Sequence, residues 1–304
     1  MIETTMPRRN TEIIRFPAPE AGPGTQQAQP YCLITGAGRG LGLALAEECA
    51  GLGMNLILVD LPNTGLPDVT AHLARSYGVA AVCSETDLTD PDSPETLHRW
   101  IKEQRIDLFM LINNAGIGAH GPFTESAAER NRAMINLNIT ALVHLTQLFL
   151  PELARQQNAY ILNVASLAAF YPMPCKPVYA PTKAFVLNFS LALRTEMTGT
   201  SIKVSALCPG GIITNEECRR LIAAQGFIGR ISCHHPEEVA RYAVDRLLRG
   251  RALIIPGFLN KAARICGAVA PRSLVQRFVH SRFTGAPEKG KRGSTTPPLE
   301  VLHG

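Results

Sequence analysis

Seven short apolar runs, separated by stretches of helical periodicity, restrict the folds open to this chain more than any other feature. They are YCLITG (31–36), MNLILVD (54–60), VAAVCSE (79–85), LFMLINN (108–114), YILNVAS (160–166), IKVSALCPG (202–210) and ALIIPG (252–257). Helical patterns fill most gaps, at 40–52, 66–77, 93–104, 124–155, 177–198 and 236–249. Strands that are apolar almost throughout are buried on both faces, and alternating helices supply the covering layers. The pattern predicts an α/β fold: a doubly wound, parallel, seven-stranded sheet in a single domain, with helices on both faces. In such sheets ligands sit beyond the carboxyl ends of the strands.

The boundaries follow from composition. The first 30 residues end in PAPEAGPGTQQAQP; 1–29 are expected to be a disordered arm, 30–257 to carry the sheet, 258–283 to form a helical extension and 284–304 a disordered tail. No run of eighteen apolar residues suggests a bilayer span, and the arm lacks the apolar stretch of a signal peptide. Eight cysteines occur without a C-x-x-C pair, and Cys32, Cys49, Cys83 and Cys208 lie in apolar runs. There a free thiol acts as a small hydrophobe, so a reduced, cytoplasmic protein is expected. His234 and His235, followed by Pro236 and Glu237, read as a helix start, and no metal is expected. The net charge of +5 is concentrated: between Arg246 and Pro287 there are eight Lys or Arg and no acid.

The residues with distinctive chemistry gather at strand ends. TGAGRGLG follows the first strand, and Gly36, Arg39, Gly40, Leu41 and Gly42 are placed to meet a dinucleotide. Glycines there let the backbone turn sharply and approach a pyrophosphate, which the following helix N-terminus favours. Asp60 ends the second strand, 24 residues after Gly36. A carboxylate in that place accepts hydrogen bonds from ribose hydroxyls and repels a 2′-phosphate, which favours NAD. Arg39 argues for NADP, because a cation in the glycine loop pairs with that phosphate. Asp87 and Leu88 fall at the adenine edge, and Asn114, Ala115 and Gly116 close the fourth strand in the sequence NNAG.

Ser166 ends the fifth strand, thirteen residues before Tyr179 in YAPTK. TGxxxGxG, NNAG, a serine and YxxxK, in this order, resemble the short-chain dehydrogenase/reductase family over residues 31–257. The resemblance implies a Rossmann fold and an NAD(P)-dependent oxidoreductase that moves hydride between nicotinamide and a secondary alcohol or ketone. It also implies Tyr179 as general acid/base, Lys183 holding the nicotinamide ribose, and Ser166 binding the substrate oxygen. A free phenol titrates near ~10, too high for easy exchange at neutral pH, and Lys183 one turn away is expected to lower it. An asparagine on the long helix is expected to hold a water. Of Asn136 and Asn138, the spacing to Thr146 and to Leu150–Pro151 selects Asn138 by the family pattern. Pro209, Gly210, Ile212 and Thr214 are implied to lie along the nicotinamide and to present the pro-S hydrogen. A homodimer or homotetramer through helices 124–155 and 177–198 is implied as well.

Pro181 is tolerated if the helix begins around 177–180, because a missing donor costs little in the first turn. Phe170, Tyr171 and Met173, and a lid at 211–233 with Ile212, Ile213, Leu221, Ile222, Phe227 and Ile228, predict a largely apolar substrate. Arg219 and Arg220 in the lid would either meet a carboxylate or face water. In the extension, Leu274, Val275, Phe278 and Val279 form an apolar stripe with arginines on other faces. Packing over the cleft or on a second subunit is the expected use, with weak peripheral membrane contact as the alternative. No nucleic-acid recognition motif accompanies the basic residues. Competing functions are an NADP-dependent carbonyl reductase and a non-catalytic nucleotide-binding regulator.

Overall fold

The computed structural model describes residues 13–16, 30–213 and 233–283. The strands are β1 (Ile13–Phe16), β2 (Tyr31–Thr35), β3 (Asn55–Asp60), β4 (Ala81–Glu85), β5 (Leu108–Asn113), β6 (Ala159–Val164), β7 (Ile202–Leu207) and β8 (Leu253–Ile254). They form one sheet in the order β1-β4-β3-β2-β5-β6-β7-β8. The seven expected strands are parallel to one another. The eighth, β1, comes from the arm expected to be disordered and pairs antiparallel with β4, Ile13 opposite Ser84.

The helices are α1 (Gly40–Gly51), α2 (Leu66–Tyr77), α3 (Ser93–Glu103), α4 (Ala128–Ile135), α5 (Leu142–Leu153), α6 (Tyr179–Glu196), α7 (Pro236–Leu248), α8 (Phe258–Val269) and α9 (Arg272–Phe283). Strand alternation divides the core in two. Cys32, Ile34, Leu56 and Leu58 face Leu41, Leu45, Leu73, Val239 and Ala243 of α1, α2 and α7. Leu33, Ile57, Leu111, Ile161 and Val204 face Leu97, Leu145, Phe149 and Leu193 of α3, α5 and α6 on the other side. Such two-sided burial is what the continuous apolar runs demand.

Local chemistry sets the helix limits. Proline near the start of α2 and α3 gives up a donor that the first turn leaves unpaired anyway, and Gly78 closes α2 in the left-handed region at φ 68°. The expected helix at 124–155 is instead a 3₁₀ turn at Phe123–Glu125, then α4 and α5 joined by a π-helical segment, Asn136–Ala141. By length and mean hydropathy the 26-residue run Ala128–Leu153 would pass as a membrane span. Here it packs on the sheet through Met134, Leu137, Leu145, Phe149 and Leu153, which makes it a core helix.

Side-chain amides cross-link the strand ends from inside. Asn113 Nδ2 donates to Thr146 Oγ1 at 3.0 Å and to Asn163 Oδ1 at 2.9 Å, and Asn163 Nδ2 donates to Ser190 Oγ at 3.0 Å. All four side chains are buried, so each bond stands in for water that cannot reach it. Ser190→Ala leaves the Asn163 amide short of an acceptor. It is expected to lower the unfolding free energy by about 1–3 kcal/mol, read as a lower urea midpoint at unchanged m-value.

Candidate active site

The glycine loop connects β2 to α1 beneath the ends of β3 and β5. Gly36 has φ +66°, and a Cβ on Gly42 would lie 1.8 Å from the Gly36 carbonyl oxygen, so only glycine lets α1 pack this close to the loop. Asn114 ties the loop to β5. Its amide Nδ2 donates to the carbonyls of Thr35 and Gly36 at 2.9 and 3.1 Å, while the Thr35 hydroxyl accepts from Asn114 N and Ala115 N at 3.1 and 3.0 Å. Asp60 is buried at the end of β3, where Oδ2 accepts from Gly38 N at 2.7 Å and Oδ1 from Leu61 N at 2.8 Å.

These residues fit a dinucleotide. α1 begins with no capping side chain and no acid in its first turn, which leaves its N-terminal amides suited to a pyrophosphate. Asn114 Oδ1 is buried without a hydrogen-bond partner. A cavity of about 120 Å³ runs along Asp60, Asp87, Leu88, Ala115, Gly116 and Ile117, bringing Asp60, Asp87 and Leu88, expected at the adenosine end, beside Ala115 and Gly116 of NNAG. Asp87 also holds its own turn, accepting from Thr89 N and Thr89 Oγ1 at 2.9 and 2.7 Å. Arg39 is exposed at the tip of the loop.

Ser166, Asn138, Tyr179 and Lys183 converge beyond β5 and β6. Ser166 follows β6 in extended backbone and caps the turn Leu167–Phe170, its Oγ accepting from Ala168 N at 3.1 Å. α6 starts at Tyr179, so Pro181 falls in the first turn and leaves the helix unbroken. Lys183 is buried one turn on, its Nζ donating to Val164 O at 2.8 Å and lying 6.0 Å from the centre of the Tyr179 ring. Asn138 projects from the π-helical segment. Its Oδ1 accepts from Ile117 N at 2.9 Å, and its Nδ2 donates to Ile117 O at 2.9 Å and to Thr182 Oγ1 at 3.0 Å. Asn136, two residues earlier, is only partly buried. A Cβ on Gly116 would sit 3.1 Å from both Asn138 Oδ1 and Lys183 Nζ.

Burial governs the electrostatics. It pushes the Tyr179 phenol above its ordinary range, against hydrogen bonding with Ser166, which pulls it down. The expectation that Lys183 would bring the phenol down is corrected here, because desolvation is the larger effect. The same desolvation lowers Lys183 to about 8. Cys208, just beyond β7, couples to both groups, and burial raises its thiol to about 12, which keeps it neutral.

Pro209 accepts from Leu167 N at 2.9 Å and so ties the end of β7 to the Ser166 turn. Gly210 follows, and Ile212 is buried and bridges His234. Thr214 lies outside the described residues, as do Arg219, Arg220, Leu221, Ile222, Phe227 and Ile228. Tyr171, expected near the substrate pocket, is engaged by α8: its hydroxyl donates to Ala263 O at 2.7 Å, and its ring fills the space beside Gly267. Sequence reasoning passed over Thr35, Gly38 and Thr182. Gly38 and Thr35 sit inside the glycine motif, which was their only signal.

The short chain dehydrogenase family model matches residues 31–220. An uncharacterized oxidoreductase of Bacillus subtilis (strain 168), DltE, is 34% identical over 224 residues, 72% of this chain and 84% of that protein. The 1-deoxy-11-beta-hydroxypentalenate dehydrogenase of Streptomyces exfoliatus is 34% identical over 237 residues, 77% of this chain and 84% of that protein. Among solved structures, a 7beta-hydroxysteroid dehydrogenase superposes with a TM-score of 0.75 at 25% identity, covering 83% of this chain and 97% of that one. A short-chain dehydrogenase from Sphingobium yanoikuyae in complex with NADPH gives 0.67 at 27%, covering 88% and 98%. One from Burkholderia phymatum in complex with NAD gives 0.68 at 26%, covering 78% and 92%. The chain belongs to the short-chain dehydrogenase/reductase family. It is an NAD(P)-dependent oxidoreductase acting on the alcohol/ketone couple.

The depressed lysine makes stability depend on pH. Between about 8 and 10.5 the unfolded chain holds the Lys183 proton and the folded chain does not, so this site favours folding increasingly as pH rises through that window. Tyr179, shifted upward, works in the opposite direction only above its ordinary range. Urea denaturation at about pH 7.5 and about pH 9.5 is expected to show native protein gaining roughly 2 kcal/mol relative to Lys183→Met. An equal response of the two proteins would contradict the shift.

Proposed function

We propose that the enzyme is NAD-linked and interconverts a secondary alcohol and a ketone on a largely apolar, ring-bearing skeleton, with Tyr179 as general acid/base. The observation that carries this is the convergence of Ser166, Tyr179, Lys183 and Asn138 one strand away from the glycine loop. Nicotinamide, when bound, accepts or supplies the hydride. Everything else falls to the chain. Ser166 and Tyr179 together would hold the substrate oxygen; Tyr179 donates its proton to a forming alcohol or removes it from a reacting one. Lys183 would bind the nicotinamide ribose with the donors left after Val164, and Asn138 would keep a proton path open behind it. Gly36, Gly40, Leu41, Gly42, Asn114, Ala115 and Gly116 would form the cradle, with Pro209, Gly210 and Ile212 along the nicotinamide.

Asp60 supports NAD over NADP, because two backbone donors fix its carboxylate at the cavity edge. Exposed Arg39 supports the second reading, NADP. The ring skeleton is supported by the activities of relatives: hydroxypentalenate and hydroxysteroid dehydrogenases, and an alcohol dehydrogenase from Comamonas testosteroni specific for bulky-bulky ketones. Assembly into a homodimer or homotetramer through α4–α5 and α6 is supported by Ile135 and Phe185, exposed at 43% and 42%. Cytoplasmic residence is supported by two buried free thiols, Cys32 and Cys49, with sulfurs 4.0 Å apart.

On a panel of ring ketones, NADH is expected to give the higher kcat/KM, and Asp60→Ala to erode that preference by about tenfold or more. Faster turnover with NADPH by the native protein would overturn the NAD assignment. Tyr179→Phe is expected to lower kcat by roughly 10²–10⁴ while NADH still binds. Unchanged kcat on a substrate the native enzyme turns over would remove Tyr179 from the chemistry.

A further inference from the structure

α8 is amphipathic the wrong way round for a helix on the surface of a globular protein. The side that packs on the body carries Asn260, which is buried and donates to Pro256 O at 2.9 Å, Arg264, which lies 5.4 Å from the centre of the Phe170 ring, and Gly267, which sits on Tyr171. At 100° per residue, Phe258, Ala262, Ile265 and Val269 fall on the opposite side. Phe258, Ile265 and Val269 are exposed at 81%, 60% and 82%, as are Leu259 on the flank of α8 at 46% and Leu274 on α9 at 57%. The apolar stripe on α9 is turned partly inward, with Val279 buried. A contiguous apolar face of this kind needs a covering partner.

Charge selects the partner. Residues 258–283 contain Lys261, Arg264, Arg272, Arg277 and Arg282 and neither Asp nor Glu. Lys261 borders the apolar face, its ammonium donating to Tyr242 Oη at 3.0 Å. A two-fold contact with a second copy would set this patch against itself, cation against cation, with no acid within residues 258–283 of either copy to compensate. An anionic lipid surface answers both properties at once, taking the apolar side chains below the headgroups and the cations among them. We propose that α8 and the exposed side of α9 dock this enzyme reversibly on anionic membranes. Because α8 rests on the Phe170–Tyr171 segment that follows Ser166, docking would bring the cleft beside the bilayer, where apolar alcohols and ketones concentrate.

The full-length protein is to be sedimented with vesicles of pure phosphatidylcholine and with vesicles of phosphatidylcholine and phosphatidylglycerol, alongside an Ile265→Glu/Val269→Glu variant. Native protein is expected to partition onto the anionic vesicles on the order of tenfold more than onto neutral ones, and high salt should reduce this. The variant is expected to lose at least about tenfold of the binding while turning over a water-soluble ketone at the native rate. The vesicle result does not depend on the cofactor or substrate being assigned correctly. Equal native and variant binding, or none to anionic vesicles, would overturn the proposal. So would a native oligomer that the variant splits without any vesicle binding, because a second copy would then be what covers α8.

Discussion

A buried ammonium group must be given acceptors, and satisfying Lys183 sets the geometry of the whole carboxyl-end face. Its Nζ reaches the Val164 carbonyl at the end of β6, which fixes how α6 approaches the sheet and where Tyr179 stands. A side chain at Gly116 would crowd this approach, its Cβ falling 3.1 Å from the Lys183 Nζ. Asn138 closes the third side, held by the Ile117 backbone and by Thr182 of α6. The cost is desolvation, and it appears as a lysine depressed to about 8 and a phenol held high. Burial therefore moves both groups of the pair away from their solution values.

The same face is kept rigid by polar groups that bridge neighbouring strand ends. Asn114 with Thr35 joins β5 to β2, Asp60 with Gly38 joins β3 to the glycine loop, and Asn113 with Asn163 joins β5 to β6. A dinucleotide laid across these ends meets donors and acceptors whose positions are already set before it arrives. On the substrate side the design differs, because Tyr171 and Phe170 anchor α8 and leave its apolar face outward. Catalytic end and exposed face are thus parts of one packing arrangement.

Much of this was legible in the sequence because parallel strands buried on both faces are written as continuous apolar runs. The glycine spacing, Asp60, Ser166 and YxxxK were readable because local geometry demands those residue types at strand ends. What escaped depends on distant partners. β1 is a four-residue run, IIRF, between polar and proline-rich segments, and only its antiparallel pairing with β4 makes it a strand. The π-helical segment that aims Asn138 inward has no proline or glycine to announce it. The outward face of α8 reads at helical spacing like any core stripe, and only the placement of Asn260 and Gly267 shows which side is covered.

The most direct test of the central claim, that burial rather than Lys183 alone sets the phenol and leaves it responsive to charge beside it, is the titration of Tyr179 itself. Near-ultraviolet difference absorbance of native protein minus Tyr179→Phe would follow the phenolate with and without saturating NAD⁺. The expected result is a phenol that titrates above its ordinary value in the bare protein and moves well down when the positively charged nicotinamide binds. A phenol already low in the bare protein, or one that NAD⁺ leaves where it was, would contradict the claim.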